Sequence, residues 1–389
     1  MDYTIPEEIV VQSLSVTINN EDNFLYSDLY TDVKYIHLET TEQSLVGVVS
    51  KLEITDDGDL IILDRSRKAV IRFDDSGKFI CNIGRHGNGH GEYVSPCDIV
   101  YDRFNNCVIV LDGAFGELLF YDLSGKYLSS IDLGCSPEVI SVLDKNYLCL
   151  YMNHFDNLEY KPVGYNLKII NRKGLLVSEY LEYDRSMETF RPVCNGVFFS
   201  MDSKLCLRQP FSSLVYSVAG DSGGTSTITP ELYIDFGEKK IPHDWYSGDF
   251  DEMTKKLFAS DILYIMSMYK VKNRLFLNIG KGNCIFLYIL DLMDRSQDKI
   301  VFSADNDIYG FVSSISLATI QGDKCYFIIN PSNFESYKEN VEKKGEKFYV
   351  YYDEDYKKKE YIPSQKDRDL LYSIHDGDNP IIQVCTIKD

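Results

Sequence analysis

The side chains best placed by type and spacing to do chemistry lie in one decapeptide, residues 84–93, GRHGNGHGEY. His86, His90 and Glu92 could offer three ligands to a metal, while Arg85 and Tyr93 add a cation and an aromatic ring for holding a polar ligand. Zinc takes these donor types, but histidines at this spacing converge on one ion when a helix carries them. Gly87, Gly89 and Gly91 make the segment a loop instead. The residues therefore favour a glycine loop shaped for tight packing between repeats, with Glu92 bonded to backbone amides and Arg85 facing solvent or a central pore. A phosphate cradle is also disfavoured, because the loop leads into a strand and does not open a helix. Arg85, His86, His90, Glu92 and Tyr93 are accordingly the candidate ligand-binding residues. No metal ligands and no cofactor are assigned.

Residues 220–224 read GDSGG, the string that surrounds the nucleophilic serine of chymotrypsin-like proteases. Ser222 would need a histidine base and an orienting acid, and none of the six histidines stands in the alanine-histidine-cysteine setting of those enzymes. The string falls where two upstream turns read DDSG and DLSG, so Ser222 is expected to be inert and no catalytic residue is assigned. Two acidic clusters, residues 56–59 (DDGD) and 305–307 (DND), lack the ligand number and spacing of a calcium loop. Turn chemistry accounts for both.

The elements that position these residues are visible as a repeat. Leu63, Asp64, Phe73, Asp74, Gly77, Lys78, Phe79 and Ile80 are matched, 48 residues on, by Leu111, Asp112, Tyr121, Asp122, Gly125, Lys126, Tyr127 and Leu128. A weaker third copy, residues 169–174 (IINRKG), places Gly174 49 residues beyond Gly125. Similarity at a fixed period of about 40 to 50 residues marks the blade of a β-propeller, four short antiparallel strands stacked beside the next blade.

In chain order, residues 45–83 carry the four strands of a first blade, 97–133 a second, 139–183 a third with a long connection at 153–162, 193–236 a fourth and 262–302 a fifth. The sixth starts at Tyr309 and includes residues 324–329, but its third strand is delayed to 381–387 (IIQVCTI). That blade is one strand short, and residues 33–38 (VKYIHL) are one strand left over. Pairing the two closes the ring and removes a sheet edge. The fold is thus read as all-β, a six-bladed propeller closed by its N-terminal strand. It is read as one domain over residues 1–389, with 1–30 an N-terminal arm and 331–379 an insertion in the last blade. Short helices are expected near 249–260 and 363–373, and the charged run 338–347 (KENVEKKGEK) reads as a solvated insertion.

Composition limits the function. The net charge is −20, from 40 Lys and Arg against 60 Asp and Glu, with no basic stripe, so nucleic acid is not an expected partner. No run reaches the roughly 20 apolar residues of a transmembrane helix. The ten cysteines show no CxxC pair, and Cys149, Cys206, Cys325 and Cys385 sit inside apolar strand patterns as small buried hydrophobes with free thiols.

Connectivity suggests where a ligand could bind. In a meander, the turns between first and second and between third and fourth strands lie at one end, and all of them are short here. The other end gathers the 84–93 loop, residues 237–260 and the 330–379 insertion, so that loop-rich end, near the channel mouth, is the expected binding face.

Residues 63–93, the IHLETT strand at 36–41 and the terminal DNPIIQVCTI at 378–387 resemble the six-bladed β-propeller proteins common in gut Bacteroidetes, themselves similar to NHL-repeat propellers. The resemblance is strong in the first two blades and at the C-terminus and weak in blades three to five. His90 stands where the usual G-x-G-P-G-E loop has proline, which loosens that turn. The resemblance implies an exported, lipoprotein-like protein of the cell envelope from a family with no established activity, and the function expected is that of a binding or scaffolding propeller whose loop-rich face holds a glycan or a protein partner. The residues from Met1 onward show no signal peptide or lipobox, so export rests on the resemblance, and any lipid anchor would lie outside the given sequence. The alternative it leaves open is an enzyme of the six-bladed lyase or lactonase kind, with a metal in the central channel.

Overall fold

The computed structural model describes residues 11–17, 24–155, 163–193, 195–221, 225–246, 249–301, 308, 317–344, 349–352, 358–361 and 364–388. In chain order, β1 (Gln12–Ser15), the short helix α1 (Tyr26–Leu29) and β2 (Tyr30–His37) precede the first blade. Blade one is β3 (Lys51–Ile54), β4 (Leu60–Asp64), β5 (Ala69–Phe73) and β6 (Phe79–Asn82), and blade two is β7 (Pro96–Asp102), β8 (Cys107–Asp112), β9 (Glu117–Asp122) and β10 (Tyr127–Asp132). Blade three follows as β11 (Val139–Val142), β12 (Tyr147–Tyr151), β13 (Val163–Asn171) and β14 (Leu176–Asp184). Blade four is β15 (Phe198–Met201), β16 (Lys204–Arg208), β17 (Leu214–Gly220) and β18 (Ser226–Asp235). After helix α2 (Phe250–Phe258), blade five is β19 (Leu263–Val271), β20 (Arg274–Lys281), β21 (Cys284–Asp291) and β22 (Lys299–Val301). The last blade begins with β23 (Leu317–Gln321) and β24 (Lys324–Ile329). Helix α3 (Pro331–Lys344), the hairpin β25 (Tyr349–Tyr352) and β26 (Lys358–Tyr361), and helix α4 (Gln365–Ser373) then delay β27 (Ile381–Ile387).

The sheets form the blades of a six-bladed β-propeller, and the last has the order β2-β27-β24-β23. β2 pairs antiparallel with β27 from Tyr30↔Ile387 to His37↔Ile381, so the N-terminal strand completes the last blade as expected. The 48-residue repeat is reproduced in register: Leu60 faces Phe73 in blade one and Val108 faces Tyr121 in blade two.

Two compact units are distinguished. One comprises Met1–Asn19, Ile83–Lys270 and Leu277–Ile285, and the other Asn20–Asn82, Val271–Phe276 and Phe286–Asp389. In the first, blades two and three share a core of Ile109, Leu111, Leu118, Leu148, Leu150 and Ile170, and blades three and four one built on Cys149, Tyr151, Ile169 and Leu207. In the second, Ile36, Tyr326 and Ile382 of the last blade pack with Leu60, Ile62 and Phe73 of blade one. Second strands such as β4 and β8 are buried at every position, whereas the outer β10 is mostly exposed. Cys149, Cys206, Cys325 and Cys385 are free thiols at 0% exposure.

Two features differ from the sequence reading. Residues 12–15 of the N-terminal segment form a strand that pairs in parallel with β18, giving blade four a fifth strand. Leu14, Val16 and Ile18 alternate with Ser13, Ser15 and Thr17 in the sequence, a short strand signal inside what reads as an aperiodic arm. The charged run from Lys338 is not all solvated. Helix periodicity puts Phe334 and Lys338 on one inward face, at 0% and 7% exposure, and the Lys338 ammonium pairs with Glu335 at 2.8 Å and donates to the Ile374 carbonyl.

Candidate functional site

The repeated polar residues are structural. Asp64, at the end of β4, accepts the amides of Gly47 and Val48 at 2.6 and 3.2 Å. Burial opposes its ionisation, but these bonds and those from Ser66 and Arg67 outweigh it and hold the carboxyl below the ordinary range. Asp112, its counterpart in blade two, accepts the amides of Val94 and Ser95 at 2.6 and 3.0 Å. Each tethers the entry to its blade. At the turn before the outer strand, Asp74, Asp122 and Asn171 accept amides two and four residues on. A glycine with φ of 92°, 83° or 80° completes each of these turns, a conformation other residues rarely adopt. Asp221 takes the same post in blade four by accepting the Thr225 amide at 2.8 Å, so the aspartate of GDSGG is a turn residue. Ser222 and residues 305–307 lie outside the described residues.

The 84–93 loop has no counterpart in that pattern. It leaves Ile83 and folds over blade two. Gly84 donates to the Gly125 carbonyl at 3.1 Å, Tyr93 N–H to Arg85 O at 3.1 Å, and Gly87 N–H to Tyr93 O at 3.0 Å. Tyr93 is 1% exposed, and its hydroxyl donates to Ile83 O at 3.1 Å. The Tyr93 ring stands edge-on to Tyr121, whose hydroxyl donates to Gly91 O at 3.2 Å. Burial raises the Tyr121 phenol, which keeps it a donor. Glu92 accepts the Gly89 amide at 2.8 Å and forms an ion pair with Arg85. These two bonds, the amide first, hold its carboxyl below the ordinary range. A side chain on Gly87 would meet Glu92 at 2.0 Å, so the glycines make room for this internal carboxylate.

Above that frame lies an exposed polar strip. Arg85, His86, Asn88 and His90 face solvent, and Arg85 keeps 80% of its side chain exposed while paired with Glu92. His90 stands edge-on to Tyr127, 4.8 Å between centroids. Of the five residues singled out in the sequence, three are therefore displayed, and Glu92 and Tyr93 build the platform beneath them.

The loop also reaches the turn before the outer strand of blade two, bonding to Gly125 and packing on Tyr127 just beyond it. Strand twist brings the two within reach. Adjacent strands rotate by about 20–25°, so across a four-stranded blade the outermost strand turns roughly 60–75° from the innermost, and its ends point sideways.

A second polar cluster escaped the sequence reading. His154, after β12, is 1% exposed, and Nδ1 lies 2.9 Å from Phe190 O with the ring edge-on to Tyr183 and Phe190. Burial pushes its imidazole down to about 4, against a smaller upward pull from the Phe190 carbonyl. The His154 amide donates to Asn166 Oδ1 at 2.7 Å, and Asn166 donates to Gln209 Oε1 at 2.7 Å, linking blades three and four. Asn153 and His154 both have left-handed backbones, φ 49° and 60°. The sequence signal was two polar residues closing an apolar strand, which by itself does not show burial. Among the described residues, no group of three or more His, Cys, Asp or Glu is arranged to hold a metal.

Sheets, repeat and closing strand together define a six-bladed β-propeller, with the 84–93 loop set on a platform of Tyr93, Tyr121 and Glu92. The chain belongs to the family described as a domain of unknown function, DUF4934, whose profile matches residues 9–386. Among solved structures it is similar to the Bacteroides fragilis protein BF0058, provisionally described as exported, with a TM-score of 0.74 and 17% identity over 98% of this chain and 100% of that one. The resemblance to Bacteroidetes propellers is thereby borne out. A DUF4221 member from Bacteroides vulgatus matches at a TM-score of 0.49 and 10% identity, over 92% of this chain and 97% of that one. Virginiamycin B lyase from Staphylococcus aureus matches at 0.44 and 10%, over 92% and 99%. Identities this low speak to fold alone, and the last two likenesses carry no functional weight. No protein of curated function matches the chain. No helix among the described residues is long and apolar enough to cross a membrane.

Proposed function

We propose that the protein is a non-enzymatic binding propeller of the cell envelope, and that its ligand, a glycan or a partner protein, engages the 84–93 loop. Arg85, His86 and His90 make the contacts, and Glu92 and Tyr93 hold them in place. The observation that carries this reading is the Arg85–Glu92–Gly89 chain of bonds: a solvent-facing guanidinium is fixed in direction before any ligand arrives. A cation so held gives up little freedom on binding, which is where rigid polar displays gain affinity. The envelope assignment draws on the Bacteroidetes resemblance and on the exported description of the similar structure.

The test begins with glycan and partner-protein screening of the purified chain. Any ligand found is then titrated against Arg85→Ala, His90→Ala and a control, Arg103→Ala, an exposed residue in the turn between β7 and β8. Lys126 is unsuitable as a control because it adjoins the Gly125 and Tyr127 contacts of the loop. Each loop substitution should weaken binding about tenfold, the scale of one lost charge-assisted hydrogen bond. Equal affinity for all three variants would reject the loop as the site. Stoichiometric zinc or calcium in the purified protein would instead favour the lyase or lactonase reading.

A further inference from the structure

The blades are antiparallel meanders, but β1 runs parallel to β18 and reaches it from the N-terminal end of the chain, not through a hairpin. The register is Gln12↔Leu232, Ser13↔Tyr233, Leu14↔Ile234 and Ser15↔Asp235. On one side of β18, Ile234 N–H bonds to Ser213 O at 2.9 Å, within blade four. On the other side, Asp235 O accepts Val16 N–H at 2.9 Å. The N-terminal segment thus occupies the outward backbone groups of an edge strand. Its side chains follow the same logic: Leu14 and Val16 are 8% and 4% exposed, while Gln12, Ser13 and Ser15 face solvent. Backbone bonds for affinity and alternate apolar side chains for selectivity are how a free peptide adds to a sheet edge.

We propose that the outer edge of blade four is a strand-docking site for an extended segment of a partner protein, with apolar residues at alternate positions and running parallel to β18. β1 is its resident and displaceable occupant. The occupant itself displays the chemistry required: a Leu-x-Val core in polar residues, anchored at two side chains. Its hold is slight, because four parallel pairs with two apolar anchors form a small interface compared with the antiparallel ladders inside the blade. A partner segment gains access when it outcompetes β1 for the edge of β18. This proposal is independent of the glycine loop.

The test uses the full-length chain carrying Leu14→Asp and Val16→Asp, which removes the two anchors and leaves blade four unchanged. The probe is a fluorescein-labelled synthetic peptide of residues 11–17, VQSLSVT, followed by fluorescence polarisation. The peptide should bind the double variant at least tenfold more tightly than it binds the wild type, and a peptide with aspartate at the leucine position should bind neither. A double variant that keeps the wild-type thermal transition and fails to take up the peptide overturns the proposal. Amide exchange in the wild-type chain guards against a variant that does not fold. Val16 N–H should exchange at least tenfold faster than the Ile234 amide beside it, and exchange of both at one common rate would show that β1 belongs to the global core and is not displaceable.

Discussion

Acid should weaken this protein through one buried imidazole, and the size of the effect follows from the structure. His154 is shielded by Tyr183 and Phe190, and burial lowers its pKa to about 4 from an ordinary 6.5. Between those values the unfolded chain binds a proton that the folded chain refuses, so stability falls as pH drops through 6.5 and the loss is complete only below about 4. Each unit of difference corresponds to about 1.4 kcal/mol, and integration from pH 7 to pH 5 gives a loss of about 2 kcal/mol from this group alone. The perturbation is His154→Asn, which can keep a donor near the Phe190 carbonyl and tolerates the left-handed backbone while removing the titration. Asparagine leaves part of the ring's space empty, so the variant should be less stable at every pH. The diagnostic quantity is therefore the difference between pH 7 and pH 5, measured by urea unfolding of both proteins. The wild type should lose about 2 kcal/mol more than the variant over that interval. An equal loss in the two proteins, or an imidazole resonance assigned to His154 that titrates near 6.5, would refute the reasoning.

The loop platform makes its own demands. Gly84→Ala places a methyl 2.6 Å from Tyr121 at a φ of 63°, and Gly91→Ala one 2.5 Å from Tyr127 at 71°, so each should cost about 1–3 kcal/mol in chemical denaturation. Deleting residues 1–40 removes β2, exposes the edge of β27 and strips Ile36 and Leu38 from the core, and calorimetry should show the cooperative transition lost. Ser222 should remain unlabelled by a fluorophosphonate probe, and labelling that Ser222→Ala abolishes would restore the protease reading.

Much of this fold was legible because propeller turns repeat their chemistry. Asp74, Asp122, Asn171 and Asp221 do the same work in four blades, so the period could be read from turn residues even where the strands between them had diverged. The closing strand was legible by counting, since the last blade lacked one strand and β2 supplied it. β1 was not, because the alternation of Leu14, Val16 and Ile18 with polar residues is too short a run to stand out. The packing of Lys338 was hidden by its charge, which says nothing about where an aliphatic stem runs. At the candidate site, the bond from Glu92 to a backbone amide was legible in the sequence, and the contact of the loop with the Gly125 turn was not. A meander drawn flat omits the twist that swings the outer strand sideways. His154 was missed for a related reason: burial of a polar residue is decided by neighbours such as Phe190 and Tyr183, which are distant in the chain.

The claim that the 84–93 loop is the binding site is tested most directly by amide hydrogen exchange on the wild-type protein, with and without the first ligand that screening yields. Binding at the displayed Arg85, His86 and His90 should slow exchange in peptides covering residues 84–93 and in the adjoining 121–127 segment, and leave the blade turns near Arg103 unchanged. Protection confined to residues 237–260 or 331–379, with the 84–93 peptides exchanging as before, would contradict it.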